Sequence, residues 1–314
     1  MIEREVKNCE LFMILVRSLS KELSMNHALV KKNLIRWIFL LRAEYPNEDI
    51  FFPCKPPCSL KNQIFVDLKK KNSIAELICD KITEFHSIME NTDLMSDGQV
   101  YVQEKDGRVF LSYSSKSVKK LKLGPLTSDD CLQFEYFSDR TLLHKDLKRT
   151  FAQYFRYIYL YCNNQTLAYE YNCDPGSAIE CFASPFNHHY DVFFSTFPED
   201  VCLGSSGEFF STMGKVINGE MTLPSNTLRV NPPFDEAFDD KMVEIVIKLL
   251  NMDTKWIISC ILPDWTDFKA KNDLLQCKFH VKHDRFKKNS IWFNNFFTGT
   301  KITPCDIIII YLEN

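Results

Sequence analysis

Residues 226–234 read NTLRVNPPF, and the order of structural signals in and after them indicates an α/β fold. Its first part, residues 227–230, predicts a short β-strand, and an amphipathic pattern over residues 239–250 predicts a helix after it. The order strand, tight loop, helix places residues 231–234 at the carboxyl end of a strand. Open α/β sheets bind their ligands at that edge, so we expect this loop to belong to a functional site.

The loop contains the groups that methylation of an exocyclic amine requires. The Asn231 side-chain carbonyl and the Pro232 main-chain carbonyl can both accept a hydrogen bond from one amino group. Two acceptors on one amine turn its lone pair out of conjugation with the base, so that it can attack an electrophilic methyl group. Pro232 and Pro233 fix their φ angles and stiffen the loop, and Phe234 offers a ring on which a base can stack. As four isolated residues, the same motif also fits a turn opener followed by a core phenylalanine.

Length and charge limit the possible classes of protein. A chain of 314 residues can form two domains, or one large domain with an insertion. The net charge of −3 excludes a globally basic nucleic-acid binder, so RNA contacts must come from local clusters such as residues 69–71, 119–122 and 145–149. The charged start and the lack of an apolar run of about 18 residues predict neither a signal peptide nor a membrane span.

The cysteines indicate a reducing environment. Twelve cysteines are scattered, mostly within apolar segments, which predicts free thiols in an intracellular compartment, nucleus or cytoplasm. Cys54 and Cys58 form the only close pair, and two further ligands at similar spacing are lacking. We therefore predict no metal site.

The two halves of the chain differ in their patterns. The first half predicts two helices over residues 8–45, a third over 74–89, a hairpin over 99–114 around Asp106 and Gly107, and a helix over 141–161. We therefore expect a mainly helical domain with a hairpin over residues 1–165.

The second half alternates short strands and helices from about residue 174. Strands are predicted at 177–182, 227–230 and 255–262, and near 278–284, 290–297 and 305–312, whereas 188–197 is ambiguous between helix and strand. This alternation implies a mainly parallel sheet, and an antiparallel hairpin at the end fits the methyltransferase version of that sheet. We expect a Rossmann-like class I methyltransferase domain over residues 166–314.

A second candidate loop follows the strand predicted at 177–182. Residues 180–187 read ECFASPFN and lack the glycines of the common cofactor loops. Small side chains at Ala183 and Ser184 would let a ligand approach the backbone. The Glu180 carboxylate could accept hydrogen bonds from the hydroxyls or ammonium of a ligand, or could make a structural hydrogen bond instead.

Four motifs occur in a specific order: ECFASPFN at 180–187, STFPED at 195–200 with Gly204 and Ser205, NPPF at 231–234, and LPDW at 262–265. Together they resemble the methyltransferase of the phosphorylated CTD interacting factor family, which methylates N6 of the 2′-O-methyladenosine next to an mRNA cap. The resemblance covers residues 174–312 well and the helical first half more loosely. It implies that the first half, residues 1–165, forms the cap- or RNA-binding side. We see no WW domain of the kind that animal members carry, which argues against binding of the RNA polymerase tail.

The resemblance implies the roles of particular residues. Asn231, Pro232, Pro233 and Phe234 would form the catalytic loop that holds and stacks the adenine. The cofactor would be S-adenosylmethionine, lined by Glu180, Phe182, Ala183, Ser184, Pro185 and Asn187, with Asp200, Gly204 and Ser205 near its adenosine end. Pro263, Asp264 and Trp265 would border the substrate. The implied partner is mRNA with a 7-methylguanosine cap and a first-nucleotide adenosine.

Two other functions remain open. A DNA adenine N6-methyltransferase could use the same tetrapeptide, although such enzymes usually carry a target-recognition domain and the first half shows none. A noncatalytic RNA-binding scaffold could retain the fold. The sequence does not identify the cap pocket, for which the aromatic candidates include Trp37, Tyr154, Tyr157, Trp265 and Trp292.

Overall fold

The computed structural model divides into two compact units, Met1–Cys162 and Asn163–Asn314. We predicted a boundary after residue 165. The structure describes residues 2–44, 80, 83–84, 87, 99–105, 108–114, 127–128, 131–137, 146–161, 167–169, 178–234, 236–291, 293–295, 301–302 and 305–314. The lysine clusters at 69–71 and 119–122, the Cys54 and Cys58 pair, and most of the helix predicted at 74–89 lie outside these residues.

Three helices belong to the first unit: α1 (Ile2–Leu23), α2 (His27–Glu44) and α3 (Leu147–Tyr161). They confirm the two helices predicted over 8–45, whereas α3 begins six residues later than the start predicted at 141. Helix α1 packs against both others. A buried ion pair joins α1 to α3, in which Arg156 Nε donates to Glu5 Oε2 at 3.0 Å. Breaking such a buried pair leaves an uncompensated charge, so it fixes the pairing of these helices.

The first unit also contains an antiparallel sheet of order β1-β2-β4-β3, formed by β1 (Gln99–Lys105), β2 (Arg108–Ser114), β3 (Thr127–Ser128) and β4 (Cys131–Phe137). Lys105 pairs with Arg108, which confirms the predicted two-residue hairpin. We did not predict β3 and β4, so the expectation of a hairpin alone was wrong. The alternation of apolar Leu132, Phe134 and Tyr136 with polar neighbours was the missed signal for β4.

The second unit is built on a six-stranded mixed sheet of order β7-β6-β8-β9-β13-β10. Its strands are β6 (Ala178–Ala183), β7 (Val192–Ser195), β8 (Thr227–Val230), β9 (Ile257–Pro263), β10 (His280–Phe286) and β13 (Ile307–Glu313). Strands β7, β6, β8 and β9 are parallel, whereas β13 is antiparallel to both β9 and β10. This arrangement confirms the mainly parallel sheet with an antiparallel closing hairpin. Strands β5 (Leu167–Tyr169), β11 (Phe293–Asn295) and β12 (Lys301–Ile302) form a separate three-stranded sheet.

Helices connect the parallel strands. A 3-10 helix over Pro198–Leu203 and then α4 (Phe209–Ile217) link β7 to β8, α5 (Glu236–Leu250) links β8 to β9, and α6 (Lys269–Gln276) links β9 to β10. We did not predict α4. Its N-cap is Glu208, whose side chain accepts from the Ser211 N–H, and glutamate is not among the usual N-cap residues that mark a helix start. No helix among the described residues is long and apolar enough to cross a membrane.

The strand order creates a switch point beside β6. The chain passes from β6 to β7 on one side, and then crosses over to β8 on the other side. In open α/β sheets, ligands bind outside the carboxyl ends of the strands where the order reverses. The carboxyl ends of β6 and β8 flank that crevice here.

Candidate functional site

Two loops leave the sheet side by side at the switch point. The β6 loop comprises residues 184–187, and the β8 loop comprises residues 231–234. Strands β6 and β8 are in register, with Glu180 paired to Arg229, so neighbouring backbones lie about 4.8 Å apart. The structure therefore brings together the first and third of the four motifs.

Hydrogen bonds within the β6 loop close it on itself. Asn187 Oδ1 accepts from the Ser184 N–H at 2.7 Å and from the Ser184 hydroxyl at 2.8 Å. The Ser184 carbonyl in turn accepts from the N–H groups of Asn187 and His188. Both Ser184 and Asn187 are buried. Their polar atoms therefore hold the shape of the loop, and a direct cofactor contact by either side chain remains a prediction.

Glu180 also makes structural hydrogen bonds. Its Oε2 accepts from the His189 N–H at 2.6 Å and from the Tyr190 N–H at 3.4 Å. The neighbouring His188 ring stacks on Phe193, with ring centroids 4.1 Å apart. The carboxylate thus anchors the segment that leads from the β6 loop into β7. Of the two roles that the sequence left open for Glu180, the structure displays the structural one.

Phe182 connects β6 to two helices. Its ring centroid lies 4.6 Å from that of Phe209 and 5.3 Å from that of Phe238, so it touches both α4 and α5. The adjacent Ala183 is half-buried, and Pro185 is buried. Phe182 therefore packs against the helices that support the switch point, and a role in lining the cofactor remains a prediction.

The residues predicted near the adenosine end of the cofactor lie beyond β7. The Ser195 hydroxyl donates to Ser205 Oγ at 2.7 Å, and the Ser195 N–H donates to the Gly207 carbonyl at 2.9 Å. Residues 205–207 thus cover the outer edge of β7. Gly204 ends the 3-10 helix at φ +101°, a left-handed conformation that favours glycine, and Asp200 is fully buried within that helix. Strand β6 separates this segment from the β8 loop.

The β8 loop differs because it leaves a side-chain amide available. Asn231 is half-buried, and its side chain makes no hydrogen bond to any residue that the structure describes. Pro232 is buried and Pro233 is half-buried, so the backbone around the amide is constrained. An amide held open at the carboxyl end of a central strand is suited to receive a partner from a ligand.

An aromatic pair lies beside this amide. Phe234 and Trp265 meet edge to face, with ring centroids 6.5 Å apart and an interplanar angle of 81°. Phe234 also packs against a buried cluster that includes Ile261 and Phe293, whereas Trp265 is 43% exposed. The structure thus joins the third and fourth motifs, and it offers one anchored ring and one accessible ring to a flat ligand.

Charged groups that sequence reasoning missed hold the loop that carries Trp265. Lys271 of α6 is buried, and its Nζ donates to Asp264 Oδ1 at 3.1 Å and to the Trp265 carbonyl at 2.5 Å. Arg285 Nε pairs with the other Asp264 oxygen at 3.2 Å, and Pro263 is buried beside them. The signal in the sequence was a lysine on the apolar stripe of α6, next to buried Ala270. Such a lysine is almost never buried unless it is paired.

Two titratable residues, Cys305 and Asp306, directly precede β13 and contact the loop that carries Trp265. A side-chain hydrogen bond from Lys287, followed by the Lys288 N–H, holds the pKa of Asp306 below its ordinary value. Burial raises the pKa of the Cys305 thiol, and a hydrogen bond from Trp265 acts in the opposite direction. The Asp306 carbonyl also accepts from the Asp264 N–H at 2.9 Å. These contacts fix the start of β13 to the loop that carries Trp265.

Residues 166–295 match the family model described as "Phosphorylated CTD interacting factor 1 WW domain". This match supports the phosphorylated CTD interacting factor family. All four motifs lie inside the matched segment, so the resemblance drawn from them is confirmed. The description names a WW domain, which we did not expect. The described residues of the matched segment form strands β5 to β11 and the helices between them.

The remaining aromatic and basic candidates belong to the first unit or lie outside the described residues. Tyr154 and Tyr157 are buried in the first unit, whereas the Trp37 side chain and Trp292 are not among the described residues. Arg149 of the third basic cluster pairs with Asp146. In the described part of the chain, no group of three or more His, Cys, Asp or Glu side chains could hold a metal ion.

Proposed function

We propose that the protein is an S-adenosylmethionine-dependent mRNA methyltransferase that adds a methyl group to N6 of the cap-adjacent adenosine. Family membership is consistent with this activity. The sheet supports it because the order β6, β8, β9 with an antiparallel β13 between β9 and β10 is compatible with a Rossmann-like class I methyltransferase. The observation that carries the proposal is the half-buried Asn231 amide at the switch point, next to the Phe234 and Trp265 rings.

The crevice fits the proposed cofactor by its position. S-adenosylmethionine, when bound, supplies an electrophilic methyl group. The carboxyl ends of β6 and β8 are where an α/β sheet receives such a ligand. Because Glu180, Ser184 and Asn187 bond to their own loop, the β6 loop would act as a preformed wall whose backbone meets the ligand. Half-buried Ala183 at the bend presents little bulk to it.

The β8 loop would orient the target amine. Asn231 Oδ1 and the Pro232 carbonyl would each accept one N6 hydrogen, which turns the nitrogen lone pair towards the methyl donor. The proton leaves easily after transfer because the methylated nitrogen then carries a positive charge. Catalysis would therefore consist mainly of positioning and electrostatics, without a strong general base.

The rings would hold the base in that orientation. Phe234 is anchored by its apolar cluster, and Trp265 can close over the other side of a planar base. Stacking of one base on an aromatic ring contributes about 1–3 kcal/mol. The family description also names interaction with the phosphorylated CTD, so we include a link to RNA polymerase among the proposed partners.

A substrate panel tests this function. The protein is incubated with a labelled methyl donor and matched oligonucleotides: capped RNA beginning with adenosine, capped RNA beginning with guanosine, uncapped RNA, and duplex DNA. We expect N6-methyladenosine, with or without the 2′-O-methyl group, only from the first substrate. Equal labelling of capped and uncapped RNA would reject the cap requirement, and preferred labelling of duplex DNA would identify a DNA methyltransferase. No labelling, together with no binding of S-adenosylhomocysteine, would favour the noncatalytic scaffold.

A further inference from the structure

The outermost strand on the β13 side of the sheet carries a concentration of positive charge. We define the β10 strip as residues 278–288, which comprise β10 and the turn residues on either side of it. The strip contains five basic residues and one acidic residue, Asp284, in a chain whose net charge is −3. The basic residues are all exposed, and they are Lys278, Lys282, Arg285, Lys287 and Lys288.

One end of the strip reaches the candidate site. Phe286 pairs with Ile307 of β13, and Ile307 pairs with Pro263 of β9. The carboxyl end of β10 therefore emerges at the same sheet edge as Trp265, two strand spacings or about 10 Å from β9. The ion pair between Arg285 and Asp264 connects the two directly.

The cations of the strip have two kinds of environment. Arg285 and Lys287 pair with Asp264 and Asp306, so they hold the local structure. Lys278 and Lys282 have no carboxylate partner among the residues that the structure describes, whereas the charge of Lys288 helps to lower the pKa of Asp306.

Aromatic rings lie next to Lys278 and Lys282. Lys282 Nζ lies 4.6 Å from the centroid of the Tyr311 ring, and Lys278 Nζ lies 4.6 Å from that of Phe279. Unneutralised lysines interleaved with aromatic rings are typical of surfaces that follow the backbone of single-stranded nucleic acid. Lysines on an edge strand also discourage pairing with other sheets, so the test must separate the two roles.

We propose that the β10 strip binds the phosphates of the RNA chain that follows the target adenosine. This inference rests on the proposed function, because the target base at Phe234 and Trp265 determines where the chain leaves. The seven residues of β10 alone span about 20 Å at about 3.3 Å per residue, which accommodates a few nucleotides. The strip therefore recognises the transcript body, whereas the loops at the switch point recognise the nucleotide to be modified.

A charge-neutralising double variant tests the strip. Lys278→Gln with Lys282→Gln removes the two cations that have an aromatic neighbour and no carboxylate partner among the described residues. The matched control is Lys215→Gln with Lys248→Gln, which removes two exposed lysines from α4 and α5. Affinity is measured against salt concentration for a capped 12-nucleotide RNA and for a cap dinucleotide that contains the target adenosine. Melting temperatures confirm that both variants are folded.

We expect the strip variant to bind the 12-nucleotide RNA more weakly, by about fivefold per lysine at about 0.1 M salt, because each lost phosphate contact lowers the salt slope by about 0.7. Its affinity for the dinucleotide and the affinities of the control variant should remain at the wild-type values. An unchanged salt slope, or a 12-nucleotide RNA bound no more tightly than the dinucleotide, would overturn the proposal. Binding of duplex DNA as tightly as the 12-nucleotide RNA would also overturn the proposal. If the length-dependent binding is found but no RNA is methylated, the proposed methyltransferase function is wrong, whereas the binding of RNA phosphates by the β10 strip is supported.

Discussion

Two asparagines follow neighbouring parallel strands and have opposite environments. Asn187 closes the β6 loop, where its side-chain oxygen accepts two hydrogen bonds from Ser184. Asn231 is the first residue of the β8 loop, and its side chain has no hydrogen-bond partner among the described residues. The same residue type at the same edge of the sheet thus serves structure in one loop and remains available to a ligand in the other.

This difference shows how an α/β site divides its tasks. A loop whose polar groups bond internally keeps one shape, and it can act as a wall for a ligand. A loop whose half-buried amide bonds to no described residue keeps that amide available to a ligand. For this reason we propose that the β8 loop, and not the β6 loop, orients the target amine.

We expect the largest loss of stability when the buried lysine that supports the loop carrying Trp265 is replaced. Lys271→Met removes a buried donor that serves both Asp264 and the Trp265 carbonyl. We expect a loss of about 3 kcal/mol in the free energy of unfolding, at the low end for a buried pair because Arg285 still reaches Asp264. Denaturant unfolding measures the loss, and indole fluorescence reports the changed environment of Trp265. Wild-type stability in this variant would mean that the lysine does not support the loop.

A smaller effect is expected from the β6 loop. Asn187→Ala leaves the Ser184 N–H and hydroxyl without their acceptor inside the protein, which should cost about 2 kcal/mol of stability. The folded variant should retain methyl transfer within a few-fold of the wild-type rate. Asn187→Asp keeps an oxygen in place and serves as the matched control. A collapse of activity with unchanged stability would place Asn187 in the chemistry and remove the contrast between the loops.

The smallest effect concerns base stacking. Phe234→Leu keeps apolar packing against Ile261 and its neighbours but removes the ring, so capped RNA should bind about 1 kcal/mol more weakly, at the low end for one stacked base. Phe182→Leu makes the same change at the end of β6, and we expect it to leave RNA affinity unchanged. If the two variants weaken RNA binding equally, the aromatic pair is not a specific base site.

Sequence patterns predicted the elements of this fold that depend on the residues within one short segment. Residues 227–230 were predicted as a strand, and the structure has β8 over Thr227–Val230. The NPPF and LPDW motifs meet through Phe234 and Trp265, as expected of loops at one sheet edge. Helix α4 was missed because its start has no typical cap residue, and β4 was missed although its alternation was present.

The hydrogen-bonded support of the site could not be predicted in the same way. Glu180 reaches the backbone of His189 across a loop, and Lys271 reaches Asp264 from another element. These partners depend on how the loops pack in three dimensions, which residue spacing does not encode. For the same reason, the opposite environments of Asn187 and Asn231 became visible only in the structure.

We propose that the Asn231 amide orients the target amine for methyl transfer and that the fold does not depend on it. The most direct test is the single-turnover rate of methyl transfer to capped RNA by Asn231→Ala, measured together with its melting temperature. We predict a rate at least about 10²-fold below wild type, as for the loss of one preorganised polar group in an active site, and an unchanged melting temperature. A wild-type rate, or a loss of rate that only follows a loss of folded protein, would contradict the account.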